Sequence, residues 1–329
     1  SGWFDTASGS YVLNEPDGAR TWMPCNDHPS DKATYDITIT VPTGLTGVAN
    51  GELVEHRTEE GAEVWHWRES APMATYLVLV LTGDYELVTG TGPHGVAIES
   101  AILREDIPVM QPFLDSIDDQ IAFFEEWFGP YPFADYGIAM TDSDPGLAME
   151  NQGLSMFSRT DFGSGVLYET TEMLLSHELA HQWFGDAVTP ARWIDIWLNE
   201  SFATYGEWMW LDHVGIATLG SRAESALADR PPGSSARPPV TDLFGYNSYY
   251  GGAVVLHALR LTVGDEPAAV RHLIAAGDLD AAFGIVFTPM AELYRNGSMR
   301  RLADWIDRFP IDFVAGSAAR SSSACSCGA

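Results

Sequence analysis

Residues 176–186 read SHELAHQWFGD, and the meaning of the remaining chain follows from them. On an α-helix, successive side chains turn by about 100°, so His177 and His181 fall about 40° apart on one face. Two imidazoles at that spacing can grip a single metal ion. Glu178 is offset by one position, near enough to reach a ligand of that ion without being bound to it. This is the H-E-x-x-H arrangement in which two histidines hold zinc and the glutamate acts as general base.

A third ligand is expected in WLNESFATYGEW, residues 197–208, where Glu200 follows His181 after eighteen intervening residues. Two neutral imidazoles and one carboxylate leave a fourth position open for water, a composition of catalytic rather than structural zinc. One Zn²⁺ ion is expected. Its two charges are only half neutralised by Glu200, so bound water would lose its proton near neutral pH, and Glu178 could accept it. Thr204 and Glu207 follow Glu200 by four and seven positions on the same helical face. Either could orient a ligand histidine through its free ring nitrogen, with an ordinary solvated helix charge as the alternative for Glu207.

Outward from this centre the chain divides by periodicity. Residues 1–88 are β-rich: Tyr35–Val41 alternates as YDITITV, Val64–Trp67 repeats the pattern, and Tyr76–Leu81 is a continuous apolar run read as a strand. The turn-rich TGTGPHG at 89–95 is the candidate boundary. Helices are predicted over Pro108–Phe128, Tyr168–Phe184, Ile194–His213 and Gly251–Val263, with extended segments between the first two. ADRPPGSSARPP at 228–239 reads as a loop, and SSSACSCGA at 321–329, with Cys325 and Cys327, as disordered tail. The fold class is α+β: a β-rich N-terminal domain over 1–90, a mainly helical catalytic domain over 91–315, and a disordered tail over 316–329.

Composition narrows the partners. The 329 residues carry 46 acidic against 17 basic side chains, a net charge of −29, and Lys32 is the single lysine. Such a surface repels phosphate backbones, so nucleic acid is not expected, whereas a cationic ligand such as the free amino end of a peptide suits it. No run of eighteen apolar residues occurs, so no transmembrane segment is expected. Three cysteines are too few for a disulfide framework. The chain starts at Ser1 without a charged-then-apolar leader, and neither compartment nor oligomeric state is legible.

The sequence resembles the aminopeptidase-N family of gluzincin metallopeptidases well beyond the zinc motif. HELAH and WLNESFA match that family's HEXXH and WLNEGFA, with Ser201 in place of Gly. ARTWMPCNDHPSDKATYDITITVP at 19–42, VANGEL at 48–53 and MATYLVLVLTGDYE at 73–86 are also similar to family patterns, and the likeness runs from about residue 11 to about residue 265. It implies a thermolysin-like catalytic domain. It also implies that the N-terminal β domain is partial and that a C-terminal helical domain is missing.

The resemblance carries roles onto further residues. The family's GAMEN strand corresponds to Leu147-Ala148-Met149-Glu150-Asn151, which implies that Glu150 binds the substrate's free α-amine and that Met149 borders the first substrate residue. Leu147 stands where the family has Gly. Tyr249, in the segment 249–253 YYGGA, would donate its hydroxyl to the oxyanion; Tyr246 and Tyr250 compete for that register. Glu15, in NEPDGAR, would be a second contact to the amine. The implied activity is hydrolysis of the N-terminal peptide bond of peptides with a free amine. A gluzincin endopeptidase, or a zinc-containing peptide-binding paralogue or fragment without turnover, are the alternatives.

Overall fold

The computed structural model describes residues 2–264 apart from 8, 164, 165, 167, 236 and 237. The expectations for 265–315, for the tail and for Cys325 and Cys327 lie outside the described residues. The chain forms two compact units, Ser1–Arg192 and Trp193 onward.

The first unit is built on three sheets. Strands β1 (Gly2–Asp5), β2 (Ser10–Leu13), β3 (Lys32–Pro42), β4 (Thr46–Ala49), β5 (Glu52–Glu59), β6 (Ala62–Ala74) and β7 (Val80–Gly83) make two antiparallel sheets, ordered β1-β2-β7-β4 and β3-β6-β5. In β3 the alternation expected from sequence holds: Ile39 and Val41 are buried while Asp36, Thr38 and Thr40 face solvent. Trp67 of β6 is 1% exposed and donates its indole N–H to the carbonyl of Gly47 at 2.9 Å. Trp67→Ala should therefore lower the free energy of unfolding by about 3–5 kcal/mol, read from urea denaturation midpoints at constant slope.

The run Tyr76–Leu81 is not one strand. Thr75–Leu77 forms a 3₁₀ turn and β7 begins only at Val80. The whole run is buried, so it lacks the alternation that separates a strand from a buried turn. Before β7, from Leu77 to Leu79, its backbone is met by buried asparagines instead of a neighbouring strand. The Leu77 carbonyl accepts from the side-chain amides of Asn50 and Asn151, the Val78 carbonyl accepts from Asn14, and Leu79 N–H donates to Asn50 Oδ1.

The third sheet holds β8 (Tyr85–Thr91), β9 (Ala97–Leu103), β10 (Asp135–Tyr136), β11 (Ile138–Thr141) and β12 (Ser155–Ser158). Residues 89–95 lie at the reversal of the β8–β9 hairpin, so the chain on either side of residue 90 is joined by one antiparallel ladder. β9, β11 and β12 run parallel, and a parallel return needs a crossover. That crossover is helix α1 (Ile107–Phe128), which buries Met110, Phe113, Ile117, Ile121 and Phe124 at helical spacing. Helix α2 (Glu169–His181) carries the H-E-x-x-H residues and stops three residues short of the expected Phe184.

The second unit is helical where described: α3 (Trp197–His213), α4 (Leu219–Ala228), a π-helical turn (Asn247–Gly251) and α5 (Gly252–Gly264). Every residue of α3 from Trp197 to Leu211 is buried, as a helix surrounded on all sides must be. α4 was not anticipated. Its start is nonetheless marked by Thr218, whose hydroxyl accepts the N–H of Ser221. Among the described residues no helix is long and apolar enough to cross a membrane.

Candidate metal centre

Helix α2 ends because its last residue needs the chain to turn. Past His181 the backbone tightens, with Gln182 N–H on the Leu179 carbonyl and Trp183 N–H on that of Ala180. This brings the Phe184 carbonyl to 3.0 Å from His181 Nδ1. A carbonyl only accepts, so Nδ1 holds the proton and Nε2 presents its lone pair. The rings of His177 and His181 lie 4.8 Å apart between centroids, inclined at 74°.

Around this pair the first unit collects carboxylates. Glu150, Glu178 and His181 each bring one ligand atom within 4.8 Å of the others, and they are only 3%, 5% and 1% exposed. A Glu15 carboxylate oxygen lies within 4.8 Å of one of Glu150, and Glu15 is half-buried rather than a plain surface residue. Burying that much negative charge is costly unless a cation shares the space. Asp186, fully buried just beyond α2, feels the same field. Desolvation first, then Glu150, push its carboxyl well above the usual range, Lys32 opposes, and Glu178 and Glu69 add to the rise. Lys32 itself is lowered by burial, and its ammonium donates to the backbone carbonyls of Asp186 and Ala187.

The segment bearing Glu150 is held at several points. Met149, with its side chain fully buried, exchanges backbone hydrogen bonds with Met156 of β12 at 2.9 and 2.7 Å. The Asn151 side chain reaches the Leu77 carbonyl, Asn50 reaches that of Gln152, and Gly153 N–H donates to Gln182 Oε1. Gly153 has φ +73°, and a Cβ there would sit 2.9 Å from Asp135 Oδ2, so only glycine fits this corner. Leu147, where the resemblance has Gly, is 47% exposed.

In the second unit Glu200, Thr204 and Glu207 are all buried along α3. Burial removes the reading of Glu207 as a solvated helix charge, and its proximity helps raise the Tyr250 phenol, after desolvation. The three tyrosines separate by environment. Tyr246 donates its hydroxyl to the Ala226 carbonyl, Tyr250 stacks with Trp208 and is tilted against Tyr246, and Tyr249 is half-buried in the π-helical turn. Ser201, the departure from WLNEGFA, donates its hydroxyl to the Ser248 carbonyl at 2.6 Å and so ties α3 to that turn. Gly252 is obligatory opposite it, because a Cβ there would meet Ser201 Oγ at 2.0 Å.

Two family models match the chain: the peptidase M1 N-terminal domain over residues 13–77 and the peptidase family M1 domain over residues 113–272. The chain belongs to peptidase family M1. Its α+β fold, a β-sheet N-terminal part followed by a helical part, is that family's. A leucyl aminopeptidase of Saccharolobus solfataricus is 30% identical over 328 residues, 91% of this chain and 41% of that protein. Endoplasmic reticulum aminopeptidase 1 of Homo sapiens is 30% identical over 75% of this M1 chain and 28% of its own length. Among solved structures, an M1 zinc metallopeptidase mutant of Deinococcus radiodurans bound to a Tyr-Ser-Ala substrate superposes with a TM-score of 0.71 at 31% identity. That match covers 87% of this chain and 63% of the other. The M1 chain thus spans less than half the length of these curated relatives.

Sequence reasoning missed Gln182, Asn50, Lys32 and the Phe184 carbonyl. Gln182 and Asn50 were visible only as polar residues among small or apolar ones, Lys32 only as the single lysine in a polar stretch, and a backbone carbonyl leaves no trace in a sequence.

Proposed function

We propose that this M1 chain is a zinc-dependent aminopeptidase that hydrolyses the N-terminal peptide bond of peptides. The observation carrying the reading is the buried group formed by Glu150, Glu178 and His181, with ligand atoms within 4.8 Å of one another. It sets a carboxylate suited to an ammonium beside a carboxylate suited to proton transfer and an imidazole primed as a ligand. The donor chemistry fits zinc: His181 offers Nε2 because Nδ1 is engaged by Phe184, His177 follows on the same helical face, and Glu200 supplies the carboxylate at the spacing of the family motif. These three residues would hold one ion. When bound, zinc supplies Lewis acidity and lowers the pKa of a coordinated water from about 15.7 to about 7.

The chain's own residues do the rest. Glu178 accepts the proton of the attacking water and passes it to the departing amine. Tyr249 donates its hydroxyl to the carbonyl oxygen as negative charge develops there, the role that its place in YYGGA implies. Glu150 and Glu15 accept hydrogen bonds from the substrate ammonium and fix the first residue in register, while the Met149 backbone keeps that strand on β12. Glu207 supports the ligands from α3.

The test is turnover of a panel of aminoacyl-aminomethylcoumarins alongside metal analysis. Expected are one zinc per chain, hydrolysis of at least one free-amine substrate, abolition by a chelator with recovery on added zinc, and at most slow hydrolysis of the N-acetylated counterparts. Cleavage of blocked or internal bonds at comparable rates would assign an endopeptidase instead. A folded, zinc-loaded chain without turnover would refute catalysis.

A further inference from the structure

Gln182 lies one residue beyond His181 and is fully buried, yet none of the roles above uses it. Its side chain spans both ends of the 150–153 segment. Oε1 accepts from Gly153 N–H at 2.8 Å and stands 3.3 Å from the Tyr131 hydroxyl, while Nε2 donates to the Glu150 carbonyl at 3.4 Å. The orientation of the amide is dictated by its partners. Gly153 N–H can only donate and the Glu150 carbonyl can only accept, so a flipped amide would lose both contacts. Tyr131, in turn, stands 3.1 Å by its hydroxyl from the Asp135 carbonyl and packs edge-on against Trp183 at 5.3 Å.

We propose that Gln182 is a positioning residue which locks the Glu150 backbone to the end of the metal-binding helix and so sets where the substrate ammonium sits; this rests on the aminopeptidase reading. The physical reason is leverage. The Glu150 segment leaves its sheet after the Met149–Met156 bridge and turns at Gly153 before β12. Asn50 and Asn151 fasten its far side to Leu77, in the 3₁₀ turn that precedes β7. Gln182 fastens its backbone to the end of α2, the element whose residues define the metal position. A buried amide satisfied at both ends holds such a distance far better than an apolar side chain of the same volume.

The experiment compares binding of two competitive ligands: the amide of whichever amino acid the substrate panel ranks first, and its des-amino counterpart. Gln182→Met keeps volume and removes both hydrogen bonds. It should weaken the amine-bearing amide about tenfold and the des-amino amide less than twofold, at unchanged zinc content. In a Glu150→Gln background, Gln182→Met should add less than a further twofold, because the two residues serve one contact. Tyr131→Phe, which removes the hydroxyl shared between Gln182 Oε1 and the Asp135 carbonyl, should show the same selectivity at about two- to threefold, and decides the matter if Gln182→Met does not fold. Equal weakening of both amides, or additive losses in the double variant, would overturn the proposal and reduce Gln182 to core filling. A wild-type chain that binds the two amides equally would overturn the aminopeptidase reading itself. Wild-type preference for the amine that persists in Gln182→Met would overturn only the positioning role.

Discussion

Glu178→Gln should lower kcat by about 10²–10⁴-fold while zinc content and KM stay within about twofold of the wild type. The substitution is close to isosteric, so the buried environment of α2 is preserved, and what disappears is the ability to take a proton. Glu178 sits between His177 and His181 in sequence but is turned by about 100° from the first of them. In the proposed function this sets it to face the neighbourhood of the ion rather than to compete for a ligand position. Its burial and the imidazole within 4.8 Å are the conditions under which a carboxylate near neutral pH is an effective base. The measurement is single-turnover hydrolysis of the preferred aminoacyl-aminomethylcoumarin, with zinc quantified on the same sample. Zinc-replete Glu178→Gln retaining more than a tenth of wild-type kcat would mean that another group moves the proton. Loss of zinc together with activity would instead make Glu178 a ligand.

What the sequence made legible was whatever repeats with a period. The 3.6-residue spacing aligned His177 with His181 and traced α1, and the two-residue alternation traced β3, because α1 and β3 each have one wet face and one dry face. Where no side of the chain meets water, the signal vanishes. Tyr76–Leu81 is buried throughout, and its division into a 3₁₀ turn and a strand is decided by Asn14, Asn50 and Asn151, which are distant in sequence. α3 shows the same limit from the other direction. Its complete burial left Glu207 readable either as a support for a ligand histidine or as a solvated charge, since a helix packed on all sides has no apolar stripe to set a polar face against. Gln182 was hidden for a related reason, its partners being two backbone groups some thirty residues earlier. Ser201 and Gly252 could be read as two unrelated small residues. Only the fold reveals that a hydroxyl from one occupies the space a side chain on the other would need.

The second large effect concerns where on a peptide the bond is cut. Glu150→Gln should reduce kcat/KM for free-amine substrates by about 2–5 kcal/mol of transition-state stabilisation, or about 30- to 4,000-fold, and leave any slow hydrolysis of N-acetylated analogues unchanged. The magnitude follows from the surroundings of this carboxylate. It is 3% exposed, lies within 4.8 Å of a Glu15 oxygen, and shares the buried field that drives the Asp186 carboxyl upward. An ammonium entering there meets at least two acidic side chains in a region poorly screened by water, so the neutral amide of glutamine forfeits most of the attraction while keeping the shape. Glu15→Gln should lose less, about tenfold, because Glu15 is half-buried and its pairing is partly screened. The ratio between free-amine and acetylated substrates is the deciding readout. A collapse of that ratio in Glu150→Gln identifies the amine anchor, since a general loss of structure would lower both rates together. If both substrates fall in parallel, Glu150 supports the metal centre and the preference for a free N-terminus is set elsewhere.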